Sequence, residues 1–225
     1  MFKDVLDILL TVTEIIGTVA FSISGALVAI HCGLDMLGVV VLGCITAVGG
    51  GMMRDVLIGN TPPLIFANSG IFLLALITAI VVFVLAYINA RKFEVLKERT
   101  SQIINLADAI GLAAFSVSGI EVAVSAGYGA SAGVTVAMGV ITGVGGGVLR
   151  DVLAGSVPSI LKKHIYALVS VVGCVAYYLI RTYTPYDVSG TILVATMMVL
   201  ARVLAMRYRW SLPKIRSAEN MDKKH

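Results

Sequence analysis

Charge is what this sequence has least of. Asp, Glu, Lys and Arg make up 13% of its 225 residues, about half the roughly 25% usual in soluble domains. A chain that is 58% hydrophobic with a mean hydropathy of +0.96 cannot cover itself with a solvated surface, which excludes an ordinary soluble fold. Cysteine is scarce as well. Cys32, Cys44 and Cys174 lie in or beside apolar segments without metal-ligand spacing, so they read as small core residues and give no disulfide framework. His31, His164 and His225 are isolated from one another and suggest no metal site. With no Cys-His, Ser-His-Asp or metal-spaced cluster, the expectation is a protein that is not an enzyme and carries no cofactor. An acidic start and the lack of an A-x-A site argue against a cleaved signal peptide. The net charge of +4 comes from basic ends and loops. In a membrane chain it reports orientation before it reports nucleic acid, and no nucleic-acid partner is expected.

What is present is a series of long apolar runs. A span needs about 20 apolar residues, and the sequence supplies seven: residues 8–31, 34–58, 64–88, 103–126, 130–154, 165–180 and 188–206. Asn60-Thr61-Pro62-Pro63 ends the second, since neither proline suits a helix interior. The stretch from Arg91 to Arg99 is the one densely charged segment in the middle of the chain. The division that follows is a single membrane domain over 1–225: a first three-span unit at 8–90, a cytoplasmic connector at 91–102, a second unit at 103–180, a seventh span at 188–206 and a basic cytoplasmic tail at 207–225. Lys and Arg gather in alternate loops, at Arg91 to Arg99, Arg150, Lys162, Lys163 and the tail. Basic loops stay in the cytoplasm, which places the amino terminus outside and the carboxyl terminus inside.

The two units repeat each other. Gly17-Thr18-Val19-Ala20-Phe21-Ser22-Ile23-Ser24-Gly25 returns 94 residues later (17 to 111) as Gly111-Leu112-Ala113-Ala114-Phe115-Ser116-Val117-Ser118-Gly119, and the same offset aligns Glu14 with Asp108. Gly49-Gly50-Gly51-Met52-Met53-Arg54-Asp55 returns 96 residues later (49 to 145) as Gly145-Gly146-Gly147-Val148-Leu149-Arg150-Asp151, with Pro62 matching Pro158. Three spans per unit is an odd number, so the second copy is inverted relative to the first. The expected fold is all-α: two inverted three-helix repeats plus a C-terminal helix. Such repeats place a substrate or ion route at their interface near the bilayer midplane, using interrupted helices.

The repeated residues are the candidate site. Three glycines in a helix interior each cost about 1 kcal/mol relative to Ala, and an intramembrane charge costs at least a few kcal/mol unless paired or wetted. Two readings of Gly49, Gly50, Gly51, Gly145, Gly146 and Gly147 stand: broken helix lining a path, or small residues that let helices approach closely. Arg54 and Arg150 either snorkel to headgroups or pair with Glu14 and Asp108, with Asp55 and Asp151 competing for them or capping them. Ser22, Ser24, Ser116 and Ser118 either bond back to their own helices or line the path. Glu121, whose counterpart is Leu27, is an asymmetry of the route or a residue near the outer surface.

The doubled Gly-Gly-Gly-x-x-Arg-Asp, the preceding Phe-Ser-x-Ser-Gly and the following Pro resemble the bacterial branch of the trimeric intracellular cation (TRIC) channel family, a group also classed as uncharacterised putative glycine transporters. The resemblance covers about residues 14–180. It implies seven helices, a homotrimer in the bacterial inner membrane in contact with lipid, and a pore in each protomer bent at the glycine clusters, with potassium as the main ion. The animal members' basic phosphoinositide-binding motif is not matched at Gly51-Met52-Met53-Arg54-Asp55. The alternative expectation is a secondary carrier for a small zwitterion such as glycine. Gly-Gly-Gly-x-x-Arg-Asp lacks the Lys-Ser/Thr ending of a nucleotide-binding P-loop.

Overall fold

The structure is a computed structural model that describes residues 2–67, 69–90, 97–162, 164–184, 187–208 and 210. Helix α1, Phe2–His31, is followed by α2, Met36–Leu57. The chain then turns through a four-residue helix, α3 (Leu64–Ala67), into α4, Ser69–Ile88. The second unit repeats this order: α5, Lys97–Ala123, with a π-helical turn at Val124–Tyr128; α6, Ala132–Leu153; the short α7, Ser159–Lys162; and α8, His164–Tyr183. Helix α9, Asp187–Arg207, closes the bundle.

Among the described residues, six helices are long and apolar enough to cross a membrane, and Ala167–Tyr183 within α8 is a shorter apolar helix. Two boundaries differ from expectation. Residues 97–102, read as connector, already belong to α5; Ile103 and Ile104 continue an apolar run that nucleated helix extends at little further cost. Each third span is preceded by a separate short helix, because Pro62-Pro63 and Pro158 force a turn before the membrane helix starts. Residues 91–96 of the connector, Lys163, and residues 209 and 211–225 of the tail lie outside the described residues.

The most extensive packing is within α1–α2 and α5–α6 and, between the units, α1 against α5 and α2 against α6. Helix α4 lies against α1 and α2, as α8 lies against α6 and α5, and α9 covers α8 and α5. The core is accordingly four crossed helices with lipid-facing helices outside. Helix α4 shows the outer type: it is apolar nearly all round and buries only Ala75, Ala79 and Ala86, as suits a helix whose other faces meet lipid. Ala79 sits against Gly43, where a Cβ would come within 2.8 Å.

Helices α2 and α6 are continuous through their glycine triplets. The expectation of broken second and fifth helices is therefore corrected. The physical reason is tertiary: the two helices cross at these glycines in backbone contact. A Cβ on Gly50 would strike the carbonyl of Thr142, and one on Gly146 the carbonyl of Thr46, the repeat-related residue. Close packing of small residues offsets a propensity cost of about 1 kcal/mol per glycine. Both helices end alike, at Gly59 and Gly155 with φ of 82° and 67°, a left-handed conformation that favours glycine.

Candidate functional site

The Arg-Asp pairs occupy the last turns of α2 and α6 and lie at opposite ends of the bundle, as inversion requires. Both arginines are buried, Arg54 to 6% and Arg150 to 2% exposure, so neither snorkels. Asp55 and Asp151 play the same double part. Oδ1 of Asp55 accepts from Arg54 Nε (2.9 Å) and NH2 (2.8 Å), while its Oδ2 accepts the backbone N–H of Leu64 at 2.9 Å. Oδ1 of Asp151 accepts from Arg150 Nε at 2.9 Å, and its Oδ2 accepts the N–H of Ser159 at 2.6 Å. Each aspartate thus ties the end of a long helix to the start of the short helix beyond the prolines. That explains why Asp and Pro recur together, and sequence reasoning saw only the arginine half of it.

The two ends then diverge. At the second-repeat end, Arg150 NH1 reaches Asp108 Oδ1 at 2.5 Å and also donates to Ser24 Oγ, which itself donates to Asp108 at 2.6 Å. This network joins α1, α5 and α6. Asp108, Asp151, Ser24 and Arg150 are all buried, and hydrogen bonding on every side is what makes a buried ion pair tolerable.

At the first-repeat end, the repeat-equivalent partners of Arg54 are Glu14 and Ser118, and neither forms a hydrogen bond or ion pair with it. The expected Glu14–Arg54 pair is not formed. Arg54 turns instead onto the adjacent Asp55, 2.8 Å away, and Glu14 and Ser118 face a cavity of about 650 Å³. Two polar stripes wall that cavity: Asp7, Thr11, Glu14 and Thr18 along α1, and Ser118, Glu121 and Ser125 on α5 and its π-helical extension. Successive members of both sets are three or four residues apart, the spacing of one helix face. Arg54, Asp55 and Gly51 close the α2 side.

Glu121 lines the cavity and is fixed from behind. Its Oε1 accepts from Tyr177 Oη at 2.8 Å and from Arg181 Nε at 2.6 Å, and Tyr177 Oη is 2.9 Å from Thr191 Oγ1. Tyr177 and Thr191 were not visible as site residues in the sequence, because they lie outside the repeated motifs.

The four serines divide. Ser24 belongs to the Arg150 network and Ser118 to the cavity wall. Ser22 Oγ donates to the Ala75 carbonyl at 2.7 Å, and Ser116 Oγ is 3.2 Å from Ser170 Oγ. Those two join α1 to α4 and α5 to α8, so the structure puts them at helix contacts within each repeat, away from the cavity. The reason is geometric: residues two apart in a helix point about 200° apart, and one of each pair must face the neighbouring helix. Phe21 and Phe115, the aromatic members of the same motif, meet near the centre with ring centroids 5.3 Å apart. Phe115 lines the cavity and the fully buried Phe21 backs it. Their recurrence at matched positions in the two repeats is the sequence signal that marks them.

A bundle of inverted three-helix repeats with buried, paired charges at both ends and a polar cavity at one of them defines a multi-pass membrane protein. Comparison with known proteins gives the family. The chain belongs to the family described as Glycine transporter, whose model matches residues 11–87 and 105–182, one match to each repeat. It is 37% identical over 200 residues to the UPF0126 membrane protein YvgT of Bacillus subtilis, covering 89% of this chain and 93% of that protein. It is 35% identical over 213 residues to the UPF0126 inner membrane protein YadS of Escherichia coli K12, covering 92% and 96%. Among solved structures it is similar to the TRIC trimeric intracellular cation channel orthologue from Rhodobacter sphaeroides, with a TM-score of 0.80, 30% identity and coverage of 90% and 99%. A second TRIC cation channel structure, solved to explain conductance, matches with a TM-score of 0.76, 36% identity and coverage of 92% and 98%. The chain is a multi-pass inner-membrane protein.

Proposed function

We propose that the protein is a potassium-permeable cation channel that works as a homotrimer, with a separate route through each protomer. The observation that carries this reading is the agreement over at least nine-tenths of the chain with TRIC cation channel structures at 30–36% identity. The site's chemistry supports it. The route enters the Glu14 cavity and passes the Phe21–Phe115 contact. It then runs beside the α2–α6 crossing at Gly49, Gly50, Gly51, Gly145, Gly146 and Gly147, and leaves past Ser24, Asp108, Arg150 and Asp151. Ser118 lines its entrance. The Arg150 network holds the far end closed in this conformation, and its charges remain compensated if they exchange partners as the end opens. The amino terminus and the cavity face the outside, and the carboxyl terminus faces the cytoplasm, because the sequence concentrates Lys and Arg in the segments that follow α4, α6 and α9, the helix ends on the Arg150 side.

A second reading is a glycine carrier, and one observation favours it: an inverted-repeat protein with one end open and the other latched is the form that alternating access takes. Purified protein in proteoliposomes separates the two. Unitary potassium currents are expected. Saturable, counterflow-competent glycine uptake without such currents overturns the channel reading.

A further inference from the structure

We infer that the cavity at the Glu14 end is a cation-binding site, built on that side only, where a monovalent cation rests with part of its hydration shell between Glu14 and Glu121 and is contacted by the hydroxyl of Thr18. The inference deepens the channel reading and rests on it for the identity of the ion. Among the described residues, four acids line the cavity, Asp7, Glu14, Asp55 and Glu121, against one base, Arg54. Asp55 is bonded to Arg54, and Glu121 to Arg181. Glu14 makes no ion pair among the described residues, although it lies half-buried within a membrane-spanning helix. A lone carboxylate at that depth costs several kcal/mol unless a counter-charge or water reaches it.

Thr18 supplies an independent observation. It is fully buried and lines the cavity one helical turn beyond Glu14, and its Oγ1 has no hydrogen-bond partner among the described residues. Buried hydroxyls are nearly always satisfied. An ion or its water in the cavity satisfies this one. Glu121 is held for the same task. Tyr177 and Arg181 both occupy its Oε1, which fixes the carboxylate at the cavity wall. The volume of about 650 Å³ accommodates an ion together with several waters.

The inverted repeat provides an internal control. Glu14 aligns with Asp108, which Arg150 neutralises at 2.5 Å. Thr18 aligns with Leu112 and Glu121 with Leu27, so the other end has neither the hydroxyl nor the second acid. Two of the three groups are therefore additions to the duplicated frame. The fold alone does not require them.

The test is cation-dependent thermal stability of the detergent-solubilised full chain, titrated with potassium chloride against N-methyl-D-glucamine chloride at constant ionic strength. A saturable rise in melting temperature with potassium is expected. Glu14→Gln and Glu121→Gln each raise the half-saturating concentration about tenfold or more, the worth of one charge-assisted contact. Thr18→Val raises it several-fold, whereas a purely structural threonine would leave the potassium dependence unchanged. Asp35→Asn, at the exposed amino-terminal cap of α2, does not alter it. No potassium-dependent rise, a rise indifferent to all three cavity variants, or stabilisation by glycine in place of potassium overturns the inference. Currents recorded in parallel keep the two readings apart. Conduction without potassium-dependent stabilisation refutes the site and leaves the channel, while stabilisation without conduction does the reverse.

Discussion

Arg54 and Arg150 occupy equivalent places in the sequence and unequal ones in the molecule. Arg150 bonds Asp108, Asp151 and Ser24, whereas Arg54 bonds Asp55 and borders a cavity. Arg150→Met strands two buried carboxylates and is expected to destabilise by about 3–5 kcal/mol, the range for breaking a buried pair. Arg54→Met strands one carboxylate beside solvent-accessible space and should cost clearly less. Thermal unfolding in detergent measures both, and equal losses would contradict the asymmetry of the two ends. The central aromatic contact gives a second expectation. Phe115→Ala removes a ring that lines the cavity, so on the proposed channel reading ion flux per folded protein should rise, while the vacated volume costs about 3–5 kcal/mol of stability. Unchanged flux in a correctly assembled variant places the route elsewhere.

At the scale of elements, the glycine triplets illustrate how one sequence feature supports two structural readings until neighbours are known. Gly50 and Gly146 lie against the opposing helix backbone at Thr142 and Thr46, whereas a Cβ on Gly51 meets nothing closer than Arg54 NH2 at 3.7 Å. Gly50→Ala and Gly146→Ala should each destabilise by about 1–3 kcal/mol through overpacking against backbone that cannot yield. Gly51→Ala should be neutral or slightly stabilising, since it gains helix propensity of up to about 1 kcal/mol without a clash. Unfolding midpoints of the three variants decide the matter, and a uniform effect would return the triplet to a propensity role. Thr46 and Thr142 take part in the same crossing. Each hydroxyl donates to the carbonyl four residues back, at 2.6 Å, which leaves the threonine's own carbonyl to meet the opposite glycine.

For the whole molecule, inversion makes a prediction about sides. Lys97 begins α5 and Tyr128 ends the π-helical turn beyond it, so cysteines placed at 97 and 128 should label from opposite faces of the membrane. The background needs Cys32→Ser, because Cys32 is exposed, while Cys44 and Cys174 are buried. Labelling of both positions from one side would invalidate the inverted-repeat topology and with it the placing of Glu14 and Asp108 at opposite ends. The proposed trimer adds a further expectation for the exposed apolar faces: helices such as α4 that bury few residues within the protomer have lipid or neighbouring protomers as their remaining surroundings.

Sequence by itself determined the number of spans, the repeat, its inversion and the identity of the charged residues, because span length, apolar periodicity and an odd helix count are local or arithmetic properties of the chain. It also supplied Asp108 as a partner of Arg150, since the repeat aligned the acids and the arginines separately. Tertiary structure decided the rest. Whether three glycines break a helix depends on what lies opposite them, and here another helix's carbonyl does. Which serine of each Phe-Ser-x-Ser-Gly faces a neighbouring helix, and which reaches the charged network or the cavity, depends on the rotation of α1 and α5 about their axes. The repeat predicted that Glu14 would meet Arg54 as Asp108 meets Arg150, and the two halves part company there. A single chain held in one conformation has no obligation to treat its two ends alike, and Thr18 and Glu121, which the repeat does not duplicate, give the open end a chemistry of its own.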